Sequence, residues 1–100
     1  MAYDHSVEQC SVKILQKFHP TVSLELRHEY RVSEFNIFNI EEFSPYLLWM
    51  LSRIKNMKKG DNTQAARWIG YVQGVMECHG LITNEESRNM IRKDKELGNI

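Results

Sequence analysis

The stretch AARWIGYVQGVM, residues 65–76, decides the fold because small residues recur at every fourth position along it and just beyond it. This spacing places the small residues on one face of an α-helix. A glycine inside a helix costs about 1 kcal/mol relative to alanine, so a helix that keeps two of them is expected to recover the loss where another backbone approaches closely. The spacing therefore predicts a helix-packing face formed by Ala66, Gly70, Gly74 and Cys78.

Apolar residues nearly encircle the same stretch, which is typical of a central helix. From Trp68 to Met76, Gln73 is the polar exception. A buried glutamine needs hydrogen-bond partners, so we expect Gln73 either to fix helix packing or to contact another chain.

The composition is that of a single globular domain spanning residues 1–100, with 42% hydrophobic and 26% charged residues. No apolar run approaches the roughly 20 residues that cross a bilayer, so no membrane association is expected. Thirteen basic residues balance thirteen acidic ones, which argues against a general attraction to nucleic acid or to anionic lipid. No secretion signal is visible at the N-terminus, and the two cysteines are far apart. We therefore expect reduced thiols, a cytoplasmic location, no structural metal and no cofactor.

The first third of the chain changes its hydrophobic period. Apolar residues at helical spacing predict a first helix over residues 5–19, which Pro20 ends. From Thr21 to Ser33 apolar and polar residues alternate, as in a β-strand with one buried and one solvent-exposed face. A helix over residues 23–34 is the alternative. Residues 35–40 are rich in β-formers and offer a second strand. The predicted fold class is therefore α+β, predominantly helical, with a short strand or hairpin between the first and second of about four helices.

Capping signals predict the remaining helices. The pair Ser44-Pro45 indicates the start of the second helix and Gly60 its end. The third helix is predicted to be capped by Asn62 or Thr63 and to end near His79, before Gly80. A Thr-x-x-Glu capping box at residues 83–86 starts the fourth helix. The polar tail after residue 92 is predicted to fray, which leaves an ordered part of about residues 5–92.

The third and fourth helices, joined by a short turn, fit the layout of a helix-turn-helix nucleic-acid reader. On that hypothesis Arg88 and Arg92 lie on the reading helix. Glu85 and Glu86 place negative charge where DNA phosphates would lie, and a plain antiparallel helical hairpin explains the same residues. The nucleic-acid reader is therefore kept as the alternative function.

Basic and aromatic residues near the second and third helices suggest a surface for a partner protein, because such residues dominate binding hot spots. Lysines at a helix end also complement the helix dipole without any partner, and aromatic residues also build cores. The candidate partner-binding residues are Trp49, Arg53, Lys55, Lys58, Lys59, Arg67, Trp68 and Tyr71.

The element Trp68-Ile69-Gly70-Tyr71-Val72-Gln73-Gly74, followed by a Gly-x-x-Thr turn at residues 80–83, resembles small uncharacterised accessory proteins of tailed bacteriophages and prophages. The resemblance covers the C-terminal third of the chain. It implies a viral protein in a bacterial cytosol that binds a host protein and redirects or blocks it, and it implies no reaction. The residues to which the resemblance assigns a functional role are Arg67, Trp68, Gly70, Gln73 and Gly74.

The sequence thus favours a non-enzymatic protein that modulates or inhibits a host bacterial protein through protein–protein contact. The sequence leaves a homodimer open as an alternative, because a glycine stripe serves a symmetric dimer as readily as an internal hairpin.

Overall fold

The computed structural model of the protein describes residues 2–18, 35–58 and 62–100. Within them the backbone forms four α-helices and no strand: α1 (Asp4–Phe18), α2 (Ile40–Lys55), α3 (Asn62–Cys78) and α4 (Asn84–Glu96). α1 packs against the other three helices, and its Cys10 and Ile14 side chains are fully buried. The central helix is therefore α1, and not α3 as its apolar surroundings predict.

The α+β prediction is wrong for the part of the chain that the structure describes. The residues expected to form the second strand form a turn, in which the N–H of Phe38 donates to Asn36 Oδ1 at 3.0 Å and Asn39 caps α2. Asparagine side chains compete for nearby backbone amides and so favour turns and caps over strands. The first predicted strand, from Thr21 to Ser33, and its helical alternative lie outside the described residues.

The second helix begins one turn before its predicted start. Asn39 Oδ1 accepts the N–H of Glu42 at 3.2 Å, so the helix starts at Ile40. Pro45 then lies inside the helix, where it lacks the N–H that the carbonyl of Glu41 would normally receive. The hydroxyl of Ser44 donates to that carbonyl at 2.8 Å and replaces the missing donor.

At its other end α2 stops at Lys55, with Asn56 as the C-cap. The Asn56 side chain donates to the carbonyl of Ser52 at 3.1 Å, which satisfies one of the last free carbonyls of the helix. The end predicted at Gly60 lies outside the described residues.

The turn between α3 and α4 confirms the capping signals. Gly80 has a φ of 72°, and the N–H of Leu81 donates back to the carbonyl of Met76 at 2.9 Å. This is the left-handed glycine cap that closes many helices. Thr83 and Glu86 then exchange side-chain and backbone hydrogen bonds, both at 3.0 Å, in the predicted capping box.

The C-terminal tail, which the sequence predicts to fray, is anchored. Asp94 is fully buried, and its carboxylate accepts the N–H groups of His5 and Ser6 at 2.8 and 2.9 Å, the Ser6 hydroxyl, and the Asn99 side-chain amide at 2.8 Å. Gly98, with a φ of 74°, lets the chain turn so that the N–H of Asn99 reaches the Asp94 carbonyl at 2.8 Å. The carboxylate of α4 thus caps the N-terminus of α1.

Candidate binding groove

An apolar groove of about 660 Å³ lies between α3 and the turn that precedes α2. Its α3 wall is formed by the small-residue stripe and the side chains beside it, and its opposite wall by the two apolar residues of the turn. The lining residues are Ile37, Phe38, Gly70, Tyr71, Gly74, Val75, Cys78 and His79. The groove therefore offers apolar surface with few polar groups, as binding pockets generally do.

The turn that forms the outer wall is fixed to the end of α3. His79 Nε2 donates to the carbonyl of Ile37 at 2.9 Å, and the Asn36 side chain holds the backbone of Phe38. Phe38 is 89% exposed. A phenylalanine ring this exposed loses the free energy that its burial would give, about 1.5–3 kcal/mol, so its position marks a surface suited to contact.

The small-residue stripe does not pack against another described element. Ala66, Gly70 and Cys78 are exposed and Gly74 is half-buried. A Cβ built on either glycine meets no neighbouring atom within 4 Å. The predicted packing face within the chain is therefore wrong for the described residues, because α2 and α1 contact α3 on its other sides, where Ala65, Ile69, Val72 and Met76 are buried.

We expect Gly70→Ala and Gly74→Ala each to raise the free energy of unfolding by about 1 kcal/mol, the helix-propensity difference, since the added methyl enters open space. In a domain of this size, Tm should rise by about 4–8 °C for each substitution. Gly80→Ala is the matched control. Its left-handed φ of 72° strains alanine, so Tm should fall. Calorimetry checks all three, and a lower Tm for Gly74→Ala would show that α3 is packed there.

The aromatic residues of α2 form a continuous row with one from α3. Tyr46 lies between Phe35 and Trp49, with ring centroids 5.7 Å away in both cases, and Trp49 meets Trp68 at 5.9 Å. Trp49 is only 6% exposed, and the Arg53 guanidinium lies 5.9 Å from its ring centroid. Trp49 is therefore a core residue, and its predicted contact with a partner is not available in this arrangement.

The structure separates the other candidate partner-binding residues. Tyr71, 39% exposed, is the one that lines the groove, and burial raises the pKa of its phenol. Trp68 is half-buried beside Trp49. The basic candidates Arg53, Lys55, Lys58 and Arg67 are exposed. Lys59 lies outside the described residues.

Two further predicted residues find their contacts on α4. Gln73 is buried, and its Nε2 lies 3.4 Å from the carbonyl of Ser87 and 3.7 Å from Met90 Sδ. Of the two roles expected for it, the structure shows the packing role. Arg88 and Arg92 are exposed on α4 and line a second groove.

Sequence reasoning missed Ile37, Phe38, Val75 and His79 as groove residues. A signal for the turn was present, because Asn36 and Asn39 flank the apolar pair Ile37-Phe38, and asparagine favours turns and helix caps. The approach of His79 to Ile37 is set by tertiary packing, and no local pattern predicts it.

Within the described residues no three His, Cys, Asp or Glu side chains come together as a metal-binding group would. None of the helices described there is both long and apolar enough to cross a lipid bilayer. Comparison with known proteins finds no matching family model, curated protein or solved structure. The resemblance to bacteriophage accessory proteins stays a prediction, and the inferences about function depend on the geometry of the chain.

Proposed function

We propose that this chain is a protein-binding module that modulates or inhibits a host bacterial protein by holding an apolar, acidic-flanked segment of it in the groove along α3. The observation that supports the proposal is the pair of glycines in that groove. Gly70 and Gly74 weaken α3, and a Cβ built on either meets no atom within 4 Å, so the described residues give these glycines no compensating packing. What they do provide is access of another backbone to α3.

The sides of the groove indicate what the partner offers. Phe38 and Tyr71 present exposed rings that an apolar side chain can cover. Arg67 lies one helical turn before Tyr71 and is exposed, which places a positive charge beside the groove. Lys55 and Lys58 lie at the opposite end of α2 from the turn that forms the groove wall, so Arg67 is the cation that the proposal uses. Acidic residues flanking an apolar stripe would complement this arrangement.

The thiol inside the core is not activated as a nucleophile. Burial, with the nearby charge of Asp94, raises the pKa of Cys10 from 9.0 to about 12. A nucleophilic cysteine needs the opposite change, since the thiolate is the reactive form. Cys78 is exposed and borders the groove, so a fluorophore attached there reports whether the groove is occupied.

The test uses the immobilised full chain in a nuclease-treated bacterial lysate, with two variants. Gly74→Leu adds bulk to the groove where nothing lies within 4 Å of a Cβ, so its Tm should stay at or above that of the parent. Gln16→Leu adds the same bulk at an exposed position of α1. We expect the parent and Gln16→Leu to retain a stoichiometric protein, and Gly74→Leu to bind it at least tenfold more weakly, about 1.4 kcal/mol.

The captured protein should then change the emission of a dye on Cys78 in the parent. Equal capture by all three proteins would place the contact elsewhere and contradict the proposal. Recovery of nucleic acid alone without nuclease treatment would favour the helix-turn-helix alternative. Light scattering that shows a dimer for the parent and an 11.8 kDa monomer for Gly74→Leu would place a second copy in the groove in place of a host protein.

A further inference from the structure

A second groove, of about 420 Å³, lies between α3 and α4, and Gly70 borders both grooves. Its character is different, because charged and polar side chains line it. Arg88, Arg92 and Lys95 contribute three cations, and Glu77 contributes a carboxylate that accepts a hydrogen bond from Asn84 Nδ2 at 2.9 Å. The groove therefore has a net positive charge.

The three cations share one face of α4, since positions 88, 92 and 95 follow the helical repeat. All three are exposed. The side chains of Arg88 and Lys95 form no ion pair or hydrogen bond with another described residue, and the Arg92 side chain donates to that of Asn89, a neutral acceptor, at 3.2 Å. Their charge is therefore left uncompensated by α4 itself, in contrast to Lys93, which pairs with Glu96 at 3.7 Å.

A buried hydroxyl supplies an independent observation in the same groove. Ser87 lines it and is only 6% exposed, yet its Oγ has no hydrogen-bond partner among the described residues. Burying a hydroxyl without a partner is unfavourable, and native proteins leave few such groups. The wall around it is fixed, because the amide of buried Gln73 approaches the backbone carbonyl of Ser87. The Oγ atom itself is out of contact with solvent, so an oxyanion in the groove would accept the proton of this hydroxyl once the serine side chain rotates towards the groove.

We propose that the groove between α3 and α4 binds the phosphate group of a small phosphate monoester or inorganic phosphate. Guanidinium groups match phosphate oxygens in a planar, two-bond geometry, and a lysine adds a point charge. Three cations against one carboxylate suit a dianion better than a singly charged carboxylate. This inference does not depend on the apolar groove or on the proposed protein partner.

The test measures binding of inorganic phosphate, phenyl phosphate and acetate to the full chain by calorimetry at constant ionic strength. We expect saturable binding of both phosphates and much weaker binding of acetate; a higher affinity for phenyl phosphate would identify a monoester as the preferred form. Arg88→Gln and Arg92→Gln should each weaken phosphate binding about tenfold. Lys93→Gln, on the same helix and already paired with Glu96, should leave it unchanged.

Ser87→Ala distinguishes a binding role of the hydroxyl from a structural one, because the two roles predict different changes in Tm and in phosphate affinity. Removing an unsatisfied buried hydroxyl should raise Tm by about 4 °C, while phosphate binding weakens about fivefold. A lower Tm would mean that the hydroxyl has a structural partner and would overturn the argument from Ser87. A phosphate affinity of Ser87→Ala equal to that of the parent would also overturn the argument from Ser87.

Two outcomes would overturn the proposal as a whole. In the first, acetate and phosphate bind alike, or the Lys93→Gln control loses as much affinity as the arginine variants, which shows general charge attraction only. In the second, duplex DNA binds with a steep salt dependence and phenyl phosphate shows no saturable binding. That result would assign Arg88 and Arg92 to a nucleic-acid surface.

Discussion

Asp94→Ala is expected to lower the free energy of unfolding by about 3–5 kcal/mol, a large fraction of the roughly 5–15 kcal/mol that stabilises a small domain. The carboxylate is fully buried and accepts hydrogen bonds from His5, Ser6 and Asn99. Alanine leaves the first backbone amides of α1 without an acceptor, and each unsatisfied buried group costs about 1–3 kcal/mol. It also removes a negative charge from the positive end of the α1 dipole.

Urea denaturation followed by circular dichroism measures this effect. Glu96→Ala is the matched control, because Glu96 lies on the same helix but forms only an exposed pair with Lys93, worth under about 1 kcal/mol. Asp94→Asn should fall between the two, since it keeps one acceptor oxygen and loses the charge. If Asp94→Ala were within 1 kcal/mol of the parent, the cap would not hold the two ends of the chain together.

The local signals of the sequence predicted most of the helical structure. Periodicity and caps identified four helices, and the turn through Gly80 into the Thr83 capping box formed as expected, because each signal acts on its own few residues. The start of α2 differs from the one that Ser44-Pro45 predicts, because Asn39, which is also a capping residue, caps the helix one turn earlier. The sequence alone does not decide which of two nearby capping residues starts the helix.

What the sequence could not predict was how the helices face one another. Asp94 and Ser6 are 88 residues apart along the chain, and no local pattern connects a carboxylate on α4 with the amides of α1. The glycine stripe is the clearer case. Its spacing correctly placed Gly70 and Gly74 on one helix face, but the spacing is the same whether that face packs inside the chain or lines an open groove. Tertiary contacts decide between the two, and those formed by the described residues lie on the other faces of α3.

Whether the stripe is packed or open decides what a large side chain on this face of α3 does to the stability of the fold. If the stripe packed inside the chain, Gly74→Leu would disrupt the cooperative melt. Since the position is open, the same substitution separates stability from binding: the fold is expected to survive, and contact with a partner is expected to fail. The groove proposal therefore makes a prediction that a packing role would not make.

Alkaline pH should destabilise the protein through Cys10. The thiol is fully buried in α1, with Sγ 3.8 Å from Met90 Sδ, and burial together with the charge of Asp94 raises its pKa from 9.0 to about 12. Because the folded-state pKa is the higher one, the stabilising contribution is complete below about pH 9 and is lost as the pH rises towards 12. Each unit of pKa difference is worth about 1.4 kcal/mol, so the loss reaches about 3 kcal/mol near pH 11.

The comparison with Cys10→Ala isolates this contribution. Tyr3, Tyr46 and Tyr71 also have raised pKa values, caused first by burial, and they destabilise both proteins alike in the same range. At pH 7 the alanine variant should be less stable by about 1–2 kcal/mol, because the side chain is truncated in the core. Urea titrations between pH 7 and 11 should show that the difference in the free energy of unfolding between the parent and Cys10→Ala shrinks as the pH rises and then changes sign. A gap that stays constant would mean that the thiol ionises as readily in the folded protein as in the unfolded chain, and that neither burial nor the Asp94 carboxylate controls it.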